Sequence, residues 1–144
     1  SSDLDGCKDL MSGDEITIHA YFDEKIDIHH IFPKQYCVSK GIDSKRYDCI
    51  INKTAISART NKIIGANAPS NYLEKIKKRA AITQQQMQEY LKSHAISPAP
   101  LEADDFNAFF ETRETDLLDR IEKAMGKKVQ REYIAVDDLE APKM

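Results

Sequence analysis

Ile26-Asp27-Ile28-His29-His30-Ile31-Phe32-Pro33 is the stretch whose reading decides the fold. At a period of two, Ile26, Ile28 and His30 fall on one side, and Asp27, His29 and Ile31 on the other. That alternation predicts a β-strand. Pro33 stops it, because proline has no N–H to give to a sheet ladder. Adjacent residues of a regular strand point to opposite faces. His29 and His30 therefore do not share one ligand cage unless a twist or bulge at the strand end brings both to one cleft. The two imidazoles are expected to do different jobs.

Working outward, residues 34–40 suit a turn of helix before Gly41, and residues 42–49 suit a loop. Cys49-Ile50-Ile51 leads to Asn52, and Thr54-Ala55-Ile56 is expected to be the second strand of a hairpin-like unit. Ser57 is placed to cap a short helix over 58–64, closed by Gly65. Pro69-Ser70 opens a helix with Tyr72, Leu73, Ile76 and Ala80 on its apolar side. Thr83 and Gln86 have the spacing of a capping box before Met87, Tyr90 and Leu91. Ser97-Pro98-Ala99-Pro100 predicts a break or short linker. Phe106, Phe109, Phe110, Leu117, Leu118, Ile121 and Met125 recur at helical spacing up to Gly126, a stripe for core or partner packing rather than for a cofactor. Upstream, residues 3–12 suit a short helix ended by Ser12-Gly13, and Glu15 to Tyr21 alternates as a strand. Residues 135–144 are acidic and expected to fray.

The chain has 144 residues, enough for one domain or a small domain with a helical annex. Its 41% apolar and 31% charged content excludes an intrinsically disordered chain. No apolar run reaches the length of a membrane span, and no basic-then-apolar signal pattern opens the sequence. The opening Ser-Ser-Asp lacks methionine, which suits a piece excised from a longer protein. Cys7, Cys37 and Cys49 are widely spaced and odd in number. They suit small buried residues in a reducing cytoplasm rather than a disulfide framework or a zinc knuckle. The net charge of −3 conceals an asymmetry: residues 1–24 carry −6, residues 25–79 carry +8 and residues 80–144 carry −5. The basic block holds the paired histidines, and its field would attract a polyanion.

Hydrolysis of a phosphodiester needs a base to take a proton from water. It also needs a cation to neutralise charge developing on the phosphate and the leaving oxygen. Neutral imidazole is a natural base near pH 7 and a divalent metal is a natural cation. Four ordered boxes sharpen this reading: Ile28-His29-His30-Ile31-Phe32-Pro33, then Asn52-Lys53-Thr54, then Thr60-Asn61, then Pro69-Ser70-Asn71-Tyr72-Leu73. Together they resemble the HNH (ββα-metal) nucleases, and most closely the C-terminal nuclease domain of GmrSD-like modification-dependent restriction proteins. The resemblance covers roughly residues 12–80 closely and the helical tail loosely.

The resemblance implies an α+β fold with a ββα-metal core and a mainly helical C-terminal extension. The core with an N-terminal extension would occupy 1–80, and a helical extension packing on it 81–144. The implied activity is metal-dependent hydrolysis of DNA, in a cytoplasmic bacterial restriction or anti-phage protein. His30 would be the general base, and Asn52 would order the loop between the strands by hydrogen bonding to backbone. His29 and Asn61 would hold a divalent ion, Mg2+ or Mn2+, with Zn2+ or Ni2+ as stand-ins in a crystal. The histidine at position 29 departs from the aspartate of many HNH enzymes, and imidazole favours softer ions than Mg2+. Lys34, Lys53, Arg59 and Lys62 are candidate phosphate contacts, and Asp27 is a candidate partner orienting His29. The implied partners are DNA and an N-terminal nucleotide-hydrolysing sensor domain, with no membrane. His19 and His94 are expected to be structural or exposed. Two other readings stand beside this one: a non-catalytic interaction domain with a vestigial site, and an RNA-directed nuclease.

Overall fold

The structure is a computed structural model that describes residues 7–13 and 26–126. The expected strand over 15–21, the start of the expected first helix, His19 and the acidic end lie outside the described residues. Within them the chain is α+β. Strand β1 (Ile26–His30) pairs antiparallel with β2 (Lys53–Ser57), in a register that sets Asp27 opposite Ile56, His29 opposite Thr54 and His30 opposite Lys53. The helices are α1 (Lys34–Ser39), α2 (Ser44–Tyr47), α3 (Ala58–Ile64), α4 (Pro69–Ala80), α5 (Gln84–Ser93), α6 (Pro98–Glu102) and α7 (Phe106–Met125).

Local chemistry accounts for most of these boundaries. Ser57 ends β2 and its hydroxyl accepts from the Thr60 N–H at 3.1 Å, so strand passes directly into helix α3. Gly65 closes that helix at φ +50°, a conformation glycine adopts without steric cost. Pro69 begins α4 at a position whose N–H has no intrahelical partner. Thr83 and Gln86 form a reciprocal capping box at the start of α5.

Three expectations are corrected. Residues 42–49 are not all loop, because Asp43 accepts from the Lys45 N–H at 3.0 Å and caps the single turn α2. Ser97-Pro98-Ala99-Pro100 is not a linker but the entry to α6, with Pro98 in the first turn, where it removes no helical hydrogen bond. Residues 7–12 are not helical: Asp9 Oδ2 accepts from the Met11 and Ser12 N–H groups, a local turn that competes with a helix.

One apolar core runs through both halves of the chain, from Ile31, Phe32 and Ile56 through Ile64, Tyr72 and Ile76 to Leu91, Leu101 and Phe109. Phe32, two residues past the histidines, is fully buried. Its ring lies 4.9 Å from that of Phe109 and meets Phe106 edge-on at 5.2 Å. The front of the 106–125 aromatic stripe is therefore core, and it fixes the chain that leaves β1. Burying Phe106 and Phe109 contributes roughly 1.5–3 kcal/mol each. Cys7, Ile26 and Ala55 make a second small cluster. Cys7 and Cys37 are buried and Cys49 is half-buried. Among the described residues no helix is long and apolar enough to cross a membrane.

Candidate active site

The site is built around the end of β1. Beyond His30, the Ile31 N–H donates to the Asn52 carbonyl at 2.7 Å, prolonging the ladder by one bond. The buried Asn52 side chain then takes over. Its Oδ1 accepts from the Phe32 N–H at 2.9 Å, and its Nδ2 donates to the Phe32 carbonyl at 3.0 Å and to the Tyr47 carbonyl at 2.9 Å. One amide thus ties the segment after the histidines to the end of α2. A primary amide can do this because it carries donor and acceptor on one rigid plane. From the other side, the Tyr72 hydroxyl donates to the Ile31 carbonyl at 2.7 Å. Burial pushes the Tyr72 hydroxyl far up, so it remains a donor.

Within this frame His30 stands at the rim, its side chain 27% exposed. Its Nε2 lies 2.8 Å from Asp48 Oδ1, and its ring is tilted against Tyr47 at 6.3 Å. The hydrogen bond from His30 holds the Asp48 carboxyl below its ordinary value, and the charges of Lys53 and Lys34 act in the same direction. Lys53 pairs with His30 across the ladder and so shares its face. His30, Asp48, Lys53 and Lys34 therefore form one small electrostatic group. The structure brings together four sequence candidates: His30 and Lys53 on the ladder, Lys34 at the start of α1, and Asn52 beneath them.

His29 points to the opposite face, beside Thr54, and is half-buried. Asn61 is half-buried on α3, which packs against β1. Arg59 and Lys62 are exposed one turn apart on α3. Asp27 is exposed, and its Oδ1 accepts from the Ile28 N–H at 2.7 Å. The carboxylate that meets His30 is Asp48. Among the described residues no three His, Cys, Asp or Glu side chains converge as a ligand group. A divalent ion here would rest on the His29 imidazole, the Asn61 amide oxygen and water. That donor set fits an ion that keeps several waters better than it fits a closed tetrahedral cage.

Three further residues frame the site. The Arg113 guanidinium on α7 is buried and donates to the carbonyls of Ile51 at 2.7 Å, Lys53 at 3.1 Å, Ile50 at 3.3 Å and His94 at 2.9 Å. It holds the backbone on both sides of Asn52. His94 is buried, with Nε2 2.7 Å from the Lys8 carbonyl and Nδ1 2.7 Å from the Thr54 hydroxyl. A carbonyl only accepts, so Nε2 carries the hydrogen and Nδ1 accepts from Thr54. Burial, together with the Arg113 charge, pulls the imidazole below its ordinary value, against the Lys8 carbonyl and Asp9, which raise it. Asp48 lies in a stretch that reads as loop, and Arg113 on a helix that reads as an annex. Neither carries a local signal for its role.

No protein-family model and no solved structure matches the chain. One curated relative is similar: the "Uncharacterized protein MJ0686" of Methanocaldococcus jannaschii, 32% identical across 71% of this chain. The chain spans about a fifth of that relative's length, 21%.

Proposed function

We propose that the chain is a metal-dependent endonuclease that hydrolyses DNA phosphodiester bonds, with β1, β2 and α3 as a ββα-metal core. It would be the nuclease part of a restriction or anti-phage protein that carries a separate nucleotide-hydrolysing sensor domain. The observation that supports this most is His30: an imidazole at a rim, braced by a carboxylate, flanked by Lys53 and Lys34, on a backbone clamped by Asn52 and Tyr72. A group held this way is preorganised for proton transfer.

In this reading a phosphate enters over the face shared by His30 and Lys53. His30 takes the proton of a water as its oxygen attacks phosphorus; the P–O bond opposite breaks, and the departing oxygen takes a proton from solvent water. Lys53 and Lys34 offset the charge that develops on the phosphoryl oxygens. Arg59 and Lys62 contact neighbouring phosphates, positioning the backbone without reading bases. A divalent ion on His29 and Asn61 lies on the other face of β1, so the substrate would have to wrap the end of the strand to meet it; there it would supply Lewis-acid neutralisation of the phosphate and the leaving oxygen. Asn52 and Arg113 hold the ends of the chain that runs from His30 through α1 and α2 to Lys53.

The test is nicking of supercoiled plasmid across Mg2+, Mn2+, Ni2+ and Zn2+. His30→Ala should lower the rate by about 10²–10⁴-fold, the usual contribution of a positioned general base. Circular dichroism and Tm should stay near wild type. Full activity in His30→Ala would remove the base assignment. No cleavage by the intact chain with any ion, on DNA or RNA, would leave the non-catalytic interaction domain as the better reading.

A further inference from the structure

Asp48 belongs to none of the four motif boxes, yet it is the group that touches the His30 ring. We propose that Asp48 is a positioning residue that fixes the tautomer of His30: its carboxylate accepts the Nε2 hydrogen and leaves the Nδ1 lone pair as the basic atom of the site. This rests on the reading of His30 as the proton acceptor.

The geometry carries the inference. An ionised carboxylate has acceptors only. With Nε2 2.8 Å from Asp48 Oδ1, Nε2 must hold the hydrogen, and a neutral ring then has its lone pair on Nδ1. Water would otherwise leave the two tautomers of an exposed imidazole mixed, and the ring free to rotate. Three fixed points hold Asp48 itself. Its N–H donates to the Ser44 carbonyl at 2.9 Å, it closes the turn α2, and the Tyr47 carbonyl next to it is gripped by Asn52 at 2.9 Å. The Asn52 amide thus supports both the backbone that carries His30 and the backbone that carries its partner. Lys53 and Lys34 lie close enough to favour the ionised carboxylate, which keeps it an acceptor.

Asp48 is also a clean site to perturb, because its side chain is 49% exposed and an alanine there leaves the core intact. The experiment is ¹⁵N NMR of the imidazole nitrogens in the metal-free chain above pH 8, wild type beside Asp48→Ala, with plasmid nicking measured in parallel. The wild-type His30 ring should show the Nε2–H tautomer, and Asp48→Ala should shift it toward a mixture. In the nicking assay Asp48→Ala should lower kcat by about 10–100-fold, the size typical of groups that orient a functional side chain, with KM for DNA little changed. A wild-type Nδ1–H tautomer, or a ring signal unchanged in Asp48→Ala, overturns the proposal. So does a loss of metal affinity in Asp48→Ala with the tautomer unchanged, because Asp48 would then be a ligand. The NMR outcome does not depend on cleavage. A chain that cuts nothing but shows the Asp48-dependent tautomer supports the orientation and defeats the nuclease reading.

Discussion

Arg113→Met removes a charge from the interior while keeping an unbranched stem of similar length. Arg113 lies on α7 and meets backbone carbonyls from the chain around residues 50–53 and from His94. Its N–H groups meet backbone carbonyls, and Asp116 favours its charge without a hydrogen bond to it. Burial pulls the guanidinium from 12.5 down to about 10. At about 1.4 kcal/mol per tenfold change in proton affinity, holding the charge there costs roughly 3 kcal/mol. Against this stand bonds to three carbonyls at 3.1 Å or less, those of Ile51, Lys53 and His94. Bonds to a charged donor contribute about 1.5–3 kcal/mol each. The difference favours arginine by roughly 1.5–6 kcal/mol, and methionine leaves the same carbonyls without partners. Urea unfolding should show a lower midpoint at unchanged slope, and Tm should fall by roughly 10 °C. Amide exchange at Asn52, Lys53 and Thr54 should accelerate more than exchange in α4. Arg113→Lys should recover only part of the loss, since one ammonium cannot reach carbonyls on both sides of Asn52. A change below about 1 kcal/mol in Arg113→Met, or full recovery by lysine, would refute the clamp.

Two more expectations concern the same frame. Asn52→Asp places a carboxylate where an N–H₂ now meets the Phe32 and Tyr47 carbonyls, so it should destabilise by more than Asn52→Ala, about 3 kcal/mol or above; equal urea midpoints for the two variants would contradict the donor role. His94 makes stability depend on pH. Its folded pKa lies below the unfolded value near 6.5, so in the interval between them the unfolded chain binds a proton that the folded chain does not. Its contribution is whole above about pH 6.5 and is lost as pH falls below that, at up to about 1.4 kcal/mol per pH unit. The slope of unfolding free energy against pH should flatten in His94→Gln, and parallel curves would show that His94 is already charged in the fold.

The parts of the fold legible in the sequence are those fixed by neighbours in the chain. Alternation over Ile26–His30 sets His29 and His30 on opposite faces, whatever packs around them. Ser57, Gly65, Pro69 and the Thr83–Gln86 pair mark helix ends because a cap is satisfied within a few residues. Where local signals misled, a local competitor won: Asp9 turned its own backbone, and Pro98 opened a helix instead of interrupting one. Of the candidate site, the sequence determined which residue types stand at the end of β1 and along α3.

Only the tertiary structure decided what holds them. His30 and Asp48 are 18 residues apart, and Arg113 reaches carbonyls about sixty residues away. No periodicity or cap connects such positions. They meet because burying Phe32 against Phe106 and Phe109 draws α7 onto the chain that follows the histidines. The backbone carbonyls enclosed by that packing then need donors, and Arg113 supplies them. Sequence placed the imidazoles on their strand, and packing brought the Asp48 carboxylate to one of them, His30.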